Sequence, residues 1–220
     1  MKFSKDEIRK GMLLYAVTDR CWLKEGERLL SVCEEVLANG ATFLQIREKD
    51  LDAGSFEAEA ASLKALCARY AVPYVVNDSV EIALAIGADG VHVGQSDIKG
   101  RDIRSLIGPD KILGISAGTV EEAIAAEKAG ADYIGVGAVF GTSTKKNARN
   151  LTVEKLREIA NAVSIPVVAI GGINLRNIGE LEHTNIHGVA VVSGIFAAED
   201  IRQECRMLLE ESKRIVGDAK

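Results

Sequence analysis

Gly87-Ala88-Asp89-Gly90-Val91 returns in altered form along the chain, and that recurrence decides the fold. Gly40-Ala41-Thr42 and Gly130-Ala131-Asp132 repeat its opening, at intervals of 47 and 43 residues. In each copy the glycine closes a helical pattern and precedes a β-rich run, a place where a left-handed residue ends a helix at little steric cost. Asn185-Ile186-His187-Gly188-Val189 aligns as a fourth copy, since asparagine is the next residue to tolerate that conformation.

Working outward from these copies, β-rich runs fall near 13-18, 43-48, 74-78, 90-94, 112-116, 133-139, 167-171 and 188-193, with amphipathic stretches after them. Runs such as YVV, VHV and VVAI are almost continuously apolar, which suits strands covered on both faces and joined by parallel crossovers. Each repeat interval spans two strand-helix units. Eight units with a two-unit period predict an α/β fold: a single (β/α)8 TIM barrel, one domain over 1-220, with 1-12 as a candidate N-terminal cap segment. The competing architecture is an open doubly wound sheet, usually marked by a glycine-rich phosphate loop after its first strand. That position reads TDRCWLKEG, without G-x-G-x-x-G, and no G-x-x-x-x-G-K-[ST] occurs in the chain.

The 220 residues, 47% of them hydrophobic, are enough for one large core. A formal charge of −5 gives no general attraction to nucleic acid or to an anionic membrane, so any anion site is local. No uncharged run reaches the ~20 apolar residues of a spanning helix. The charged opening MKFSKDEIRKG lacks the apolar region of an export signal. Four scattered cysteines without a C-x-x-C pair read as reduced thiols of a cytoplasmic protein.

Within FLQIREKD at 43-50, strand alternation places Gln45, Arg47 and Lys49 on one face, opposite Leu44 and Ile46. Two cations and an amide there need solvent or an anionic ligand to offset their desolvation. In a barrel the C-terminal ends of the strands form the functional face. Further candidates at those ends are Asn77 and Asp78, Gln95 and Asp97, Ser116, the loop at 141-147, Gly171-Gly172, and Val192-Ser193-Gly194. Asp78 and Asp97 leave neighbouring strands, where two carboxylates suit one Mg²⁺ completed by waters and phosphates; capping the helices that begin near Val80 and Arg101 is their alternative role. The glycine pair and the 192-194 segment suit a monophosphate bound by backbone N–H groups, or tight turns alone. Thr142, Ser143 and Thr144 with Lys145 and Lys146 form either an anion clasp or a solvated turn. His183 and His187 have metal-pair spacing, but Asn185 and Gly188 break a helix carrying both. His92, inside VHV, reads as a hydrogen-bonded core histidine outside the site.

Together these segments resemble the thiamine phosphate synthase family over nearly the whole chain. The resemblance is carried by Q-I-R-E-K at 45-49, V-N-D at 76-78, G-Q-S-D at 94-97, Ser116 in GISAGT, T-S-T-K at 142-145, Gly171-Gly172 and Val192-Ser193. It implies that Gln45, Arg47, Lys49, Asn77, Ser116 and Lys145 hold a hydroxymethylpyrimidine diphosphate, that Asp78 and Asp97 bind Mg²⁺, and that Thr142, Thr144, Gly172, Val192 and Ser193 hold a thiazole phosphate. Arg47, Lys49 and Lys145 are then the catalytic cations that stabilise departing pyrophosphate, in a transferase with small-molecule substrates and no nucleic-acid or membrane partner. Gly118, Gly141 and Asn147 depart from the family pattern, where histidine, proline and aspartate are common. The rival readings are a thiazole tautomerase-like barrel, a Schiff-base aldolase using Lys49, and a noncatalytic phosphometabolite-binding barrel.

Overall fold

A computed structural model describes residues 3-141 and 151-217. Eight strands, β1 Leu14–Val17, β2 Phe43–Ile46, β3 Tyr74–Asn77, β4 Gly90–Val93, β5 Ile112–Ala117, β6 Tyr133–Val136, β7 Val167–Ile170 and β8 Gly188–Val191, pair in parallel in chain order. Pairing of β8 with β1 through Leu14↔Val189 and Ala16↔Val191 closes the barrel. Crossovers are α2 Leu29–Ala38, α3 Ala53–Tyr70, α4 Val80–Ala85, α5 Ile103–Ile107, α6 Val120–Lys128 and α7 Val153–Asn161, with α8 Ser193–Phe196 and α9 Ile201–Val216 after β8. The seventh crossover departs from the expected pattern: a 3-10 helix at Ile178–Leu181 stands in place of an α-helix. Between Gly172 and Asn185 the chain is short, and Asn174 and Asn177 spend their side-chain amides on the Gly172 carbonyl, a local bond that competes with helix.

Strand alternation divides the apolar residues into two layers. Leu44, Ile46, Val91, Val93, Ile134 and Val136 face the helices. Tyr15, Val17, Phe43, Val75, Ile112, Tyr133, Val168 and Ala190 face the axis. Helix α1, Lys5–Gly11, starts on a Ser4–Glu7 capping box. It brings Ile8, with Phe3 and Met12 beside it, into the axial layer at the strands' N-terminal ends. Burying these three side chains contributes on the order of 1.5-3 kcal/mol each.

The four repeat copies do one mechanical job. Gly40, Gly87, Gly130 and Asn185 all have positive φ, at 122°, 63°, 83° and 61°. Two residues on, Thr42, Asp89, Asp132 and His187 each accept a bond from a backbone N–H of the preceding odd-numbered strand: Leu14 (2.8 Å), Tyr74 (3.1 Å), Leu113 (2.8 Å) and Val167 (3.1 Å). Thr42, Asp132 and His187 also return their own N–H to the carbonyl of that same residue. The left-handed turn aims the motif back at the neighbouring strand, and the side-chain acceptor satisfies a donor that burial would otherwise leave unpaired.

Candidate active site

A cavity of about 420 Å³ opens at the C-terminal ends of the strands. Gln45, Arg47, Asn77, Asp78 and Ser116 line one side, from β2 to β5, and Gly172, Val192 and Ser193 line the other, from β7 and β8. Closure of the sheet thus brings these eight together with Gln95 and Gly171, which were also expected from the sequence. Lys49 and Asp97 sit beside this lining: Lys49 Nζ donates to Asp78 Oδ2 at 2.6 Å, and Asp97 Oδ2 accepts the N–H of the lining residue Gly94 at 2.8 Å. Thr142, Ser143, Thr144, Lys145, Lys146 and Asn147 lie outside the described residues.

The cationic row differs in one respect from its expected form. Strand β2 stops at Ile46, so Arg47 and Lys49 belong to the loop above it. The physical reason is Thr18, whose Oγ1 accepts the Arg47 N–H at 3.0 Å, while the Thr18 N–H donates to the Gln45 carbonyl. A side chain replaces the next rung of the ladder. Arg47 Nη1 then reaches Asp19 Oδ2 at 3.0 Å. Between the two cations, Glu48 turns away to Arg20 Nε at 2.7 Å; burial opposes its ionisation, but Arg20 and the Asp50 and Lys49 N–H groups outweigh that and hold its carboxyl below the ordinary range. The Glu48 carboxylate is thus spent on Arg20 and not on Arg47 or Lys49, whose carboxylate partners are Asp19 and Asp78.

Neither aspartate is used as a helix cap. Ser79 caps α4, accepting the Ile82 N–H at 3.2 Å, and the helix expected near Arg101 begins at Ile103 on the Asp102 cap. Asp78 instead holds φ at 62°, with its N–H on the His92 carbonyl at 2.8 Å. Left-handed backbone at a non-glycine residue costs of order 1-3 kcal/mol and gathers at functional sites. Asp78 and Asp97 thus stand at adjacent strand ends with carboxylates that cap no helix, hard oxygen donors of the kind a magnesium ion takes.

On the opposite wall, Gly171 and Gly172 have a packing role as well as a lining one. A Cβ on Gly172 would collide with the Gly141 carbonyl and come within 2.9 Å of the Phe140 carbonyl. The glycine pair lets the β6 and β7 loops touch, and Phe140 N–H bonds the Gly171 carbonyl at 3.0 Å.

Among the lining residues not expected from the sequence are Tyr15, His92 and Glu122, with Gly118 as a lining position. His92 is hydrogen-bonded and buried, as expected, and it also reaches the cavity, with Nδ1 2.9 Å from the Tyr133 hydroxyl and Nε2 3.0 Å from Ser116 Oγ. The signal for it was present: in VHV the two valines face the helices, which turns the imidazole to the axis. Burial holds the Tyr15 and Tyr133 hydroxyls protonated, far above the ordinary tyrosine range. Glu122 Oε2 accepts the Gly118 N–H at 2.7 Å. It comes to the cavity from the first turn of α6, a helix surface that no strand pattern announces. His183 is exposed and His187 is spent on Val167, and the described residues contain no cluster of three metal-ligating side chains.

A closed (β/α)8 barrel whose polar side chains converge above the strands' C-terminal ends has the layout of a barrel enzyme. A family model described as thiamine monophosphate synthase matches residues 14-195. The thiamine-phosphate synthase of Clostridium tetani is 48% identical over 195 residues, 89% of this chain and 93% of that protein. That of Ruminiclostridium cellulolyticum is 50% identical over 197 residues, 90% and 93% of the two chains. Among solved structures, a thiamine phosphate pyrophosphorylase from Pyrococcus furiosus superposes with a TM-score of 0.86 at 38% identity, covering 96% of this chain and all of that one. The chain belongs to the thiamine monophosphate synthase family.

Proposed function

We propose that the protein is a transferase that joins hydroxymethylpyrimidine diphosphate to hydroxyethylthiazole phosphate, giving thiamine phosphate and pyrophosphate in the cytoplasm. The observation that carries this reading is the division of one cavity into a charged wall, with Gln45, Arg47, Asn77, Asp78 and Ser116, and a backbone-rich wall, with Gly172, Val192 and Ser193. The first suits a diphosphate and the ring it carries. The second suits a monophosphate held by N–H groups at strand ends. Family membership supplies the two substrates that such walls would take.

In the reaction the bond between the pyrimidine methylene carbon and the diphosphate oxygen breaks, and that oxygen keeps the electron pair. The ring delocalises the resulting cation, and the thiazole nitrogen donates its lone pair to form the new C–N bond. Arg47, Lys49 and Lys145 stabilise the negative charge gathering on the leaving group, Gln45, Asn77 and Ser116 orient the pyrimidine, and Thr142, Ser143, Thr144, Gly172, Val192 and Ser193 fix the thiazole phosphate. No side-chain nucleophile is needed, because preorganised charge and orientation lower the barrier. Asp78 and Asp97 would hold Mg²⁺, which supplies Lewis-acid neutralisation of phosphate charge. Residues 1-12 would serve as a cap on the barrel's lower end.

The Schiff-base alternative requires a lysine within the barrel strands, whereas Lys49 lies past β2 and pairs with Asp78. A tautomerase has no use for that charged wall. The test is incubation of the purified protein with both substrates and Mg²⁺, followed by assay for thiamine phosphate and pyrophosphate. Lys145→Ala should lower the single-turnover rate by about 10²-10³; a rate near wild type would remove Lys145 from the mechanism, and absence of both products would remove the reaction.

A further inference from the structure

Four hydrogen bonds form one continuous chain across the cavity floor. Gln45 Nε2 donates to the Tyr15 hydroxyl at 2.5 Å, and the Tyr15 and Tyr133 hydroxyls share a bond of 2.7 Å. Tyr133 meets His92 Nδ1 at 2.9 Å, and His92 Nε2 meets Ser116 Oγ at 3.0 Å. The five side chains come from β2, β1, β6, β4 and β5, so the chain crosses the barrel axis.

A tyrosine hydroxyl has one proton to give, and a neutral imidazole has one N–H and one acceptor nitrogen. With each hydroxyl proton spent inside the chain, so that no buried donor is left unpaired, its bonds all point the same way. The amide nitrogen of Gln45 can only donate. With that donor on Tyr15, Tyr15 gives its proton to Tyr133, Tyr133 gives its proton to His92 Nδ1, and His92 donates from Nε2 to Ser116. The Ser116 proton is left for the cavity, while the remaining amide atom, Gln45 Oε1, is an acceptor.

We infer that His92 is a positioning residue, held as its Nε2–H tautomer by the Tyr15–Tyr133 relay, which makes Ser116 a donor to substrate and Gln45 Oε1 an acceptor. The two ends of the chain have opposite character, so they select a ring edge carrying an acceptor beside a donor, and the reversed edge leaves buried groups unpaired. This rests on the reading that Gln45 and Ser116 face the pyrimidine. The tautomer is measured without substrate, so its failure is separate from failure of that reading.

The experiment is nitrogen NMR of the ligand-free protein carrying ¹⁵N-histidine, with the His92 signals assigned by their loss in His92→Gln. In the wild type Nε2 should show the protonated shift and Nδ1 the unprotonated one. Gln45→Glu places an acceptor-only carboxylate on Tyr15, reverses the chain and moves the ring proton to Nδ1. Adding Tyr15→Phe cuts the relay and abolishes that response. A wild-type ring protonated on Nδ1 or on both nitrogens overturns the assignment, as does a ring that ignores Gln45→Glu. In turnover, His92→Gln, whose amide nitrogen substitutes for Nε2, should keep kcat within about threefold, and the shorter His92→Asn should lose about tenfold, the worth of one such bond. Equal losses in the two variants would overturn the positioning role.

Discussion

Adding one methyl group at Gly114 should cost the barrel several kilocalories, because it lands in the middle of the polar chain. Gly114 occupies an axial position of β5 between Ile112 and Ser116. A Cβ there would overlap Cζ and the hydroxyl of Tyr133 and lie 2.5 Å from His92 Nδ1. Those two groups cannot both stay in place, so their 2.9 Å bond must open. Overpacking in a filled interior costs about 1-3 kcal/mol. Leaving a buried hydroxyl or imidazole nitrogen without its partner costs about 1-3 kcal/mol more. Gly114→Ala should therefore lose about 2-6 kcal/mol in urea unfolding, read as a lower midpoint at unchanged slope. Gly54→Ala provides the contrast. Its Cβ would meet only Asp52 Oδ1, at an ordinary 3.4 Å, in the first turn of α3, so it should gain about 0.5 kcal/mol from helix propensity. A Gly114→Ala loss below about 1 kcal/mol would refute the view that the axial chain is tightly packed.

Two further predictions follow from other parts of the molecule. Ser79→Ala should cost about 1 kcal/mol of stability as a lost cap, whereas Asp78→Asn, whose new side chain tolerates the same left-handed backbone, should leave the midpoint unchanged and lower turnover by about 10²; Asp78→Asn turning over within twofold of wild type would dismiss the ligand role. Burial, with Arg9 nearby, lowers the pKa of His187, so the neutral ring that accepts the Val167 N–H is the form the fold stabilises. The unfolded chain takes up that proton first, so this contribution is complete above about pH 6.5 and is lost as pH falls through the lower folded value. Denaturant midpoints should decline from pH 7 toward pH 5, and His187→Asp, which installs the acceptor of the Asp89 and Asp132 copies, should flatten the decline. An identical slope in the variant would contradict the assignment.

The strands were legible because alternation and apolar runs state them directly, and the left-handed Asn185 could be found because three glycine copies defined its place. What the copies were for could not be read: the Asp, Thr and His at their third position became a shared acceptor only once the odd strand lay beside them. Arg47 was located correctly in space but on the wrong element, since the competing Thr18 acceptor is 29 residues away in the chain. Tyr15, Tyr133 and His92 lie in different strands with no common motif, and their polar tips meet only after the sheet has closed. Glu122 belongs to a helix surface that period and composition describe as solvent-facing. The 3-10 crossover at Ile178–Leu181 carries the burial of a helix face in one turn, with Ile178 and Leu181 as its two anchors, too short for periodicity to distinguish.

Phe3, Ile8 and Met12 plug the barrel at the end away from its polar rim. Among the described residues, the cavity opens at the opposite end, and traffic uses that doorway. On the proposed chemistry, two reactants must come in and two products go out by the same opening, so a molecule still lodged near the threshold blocks everything behind it. Order of arrival and departure becomes a property of the architecture, and the later product to leave acts as a natural brake on the next cycle.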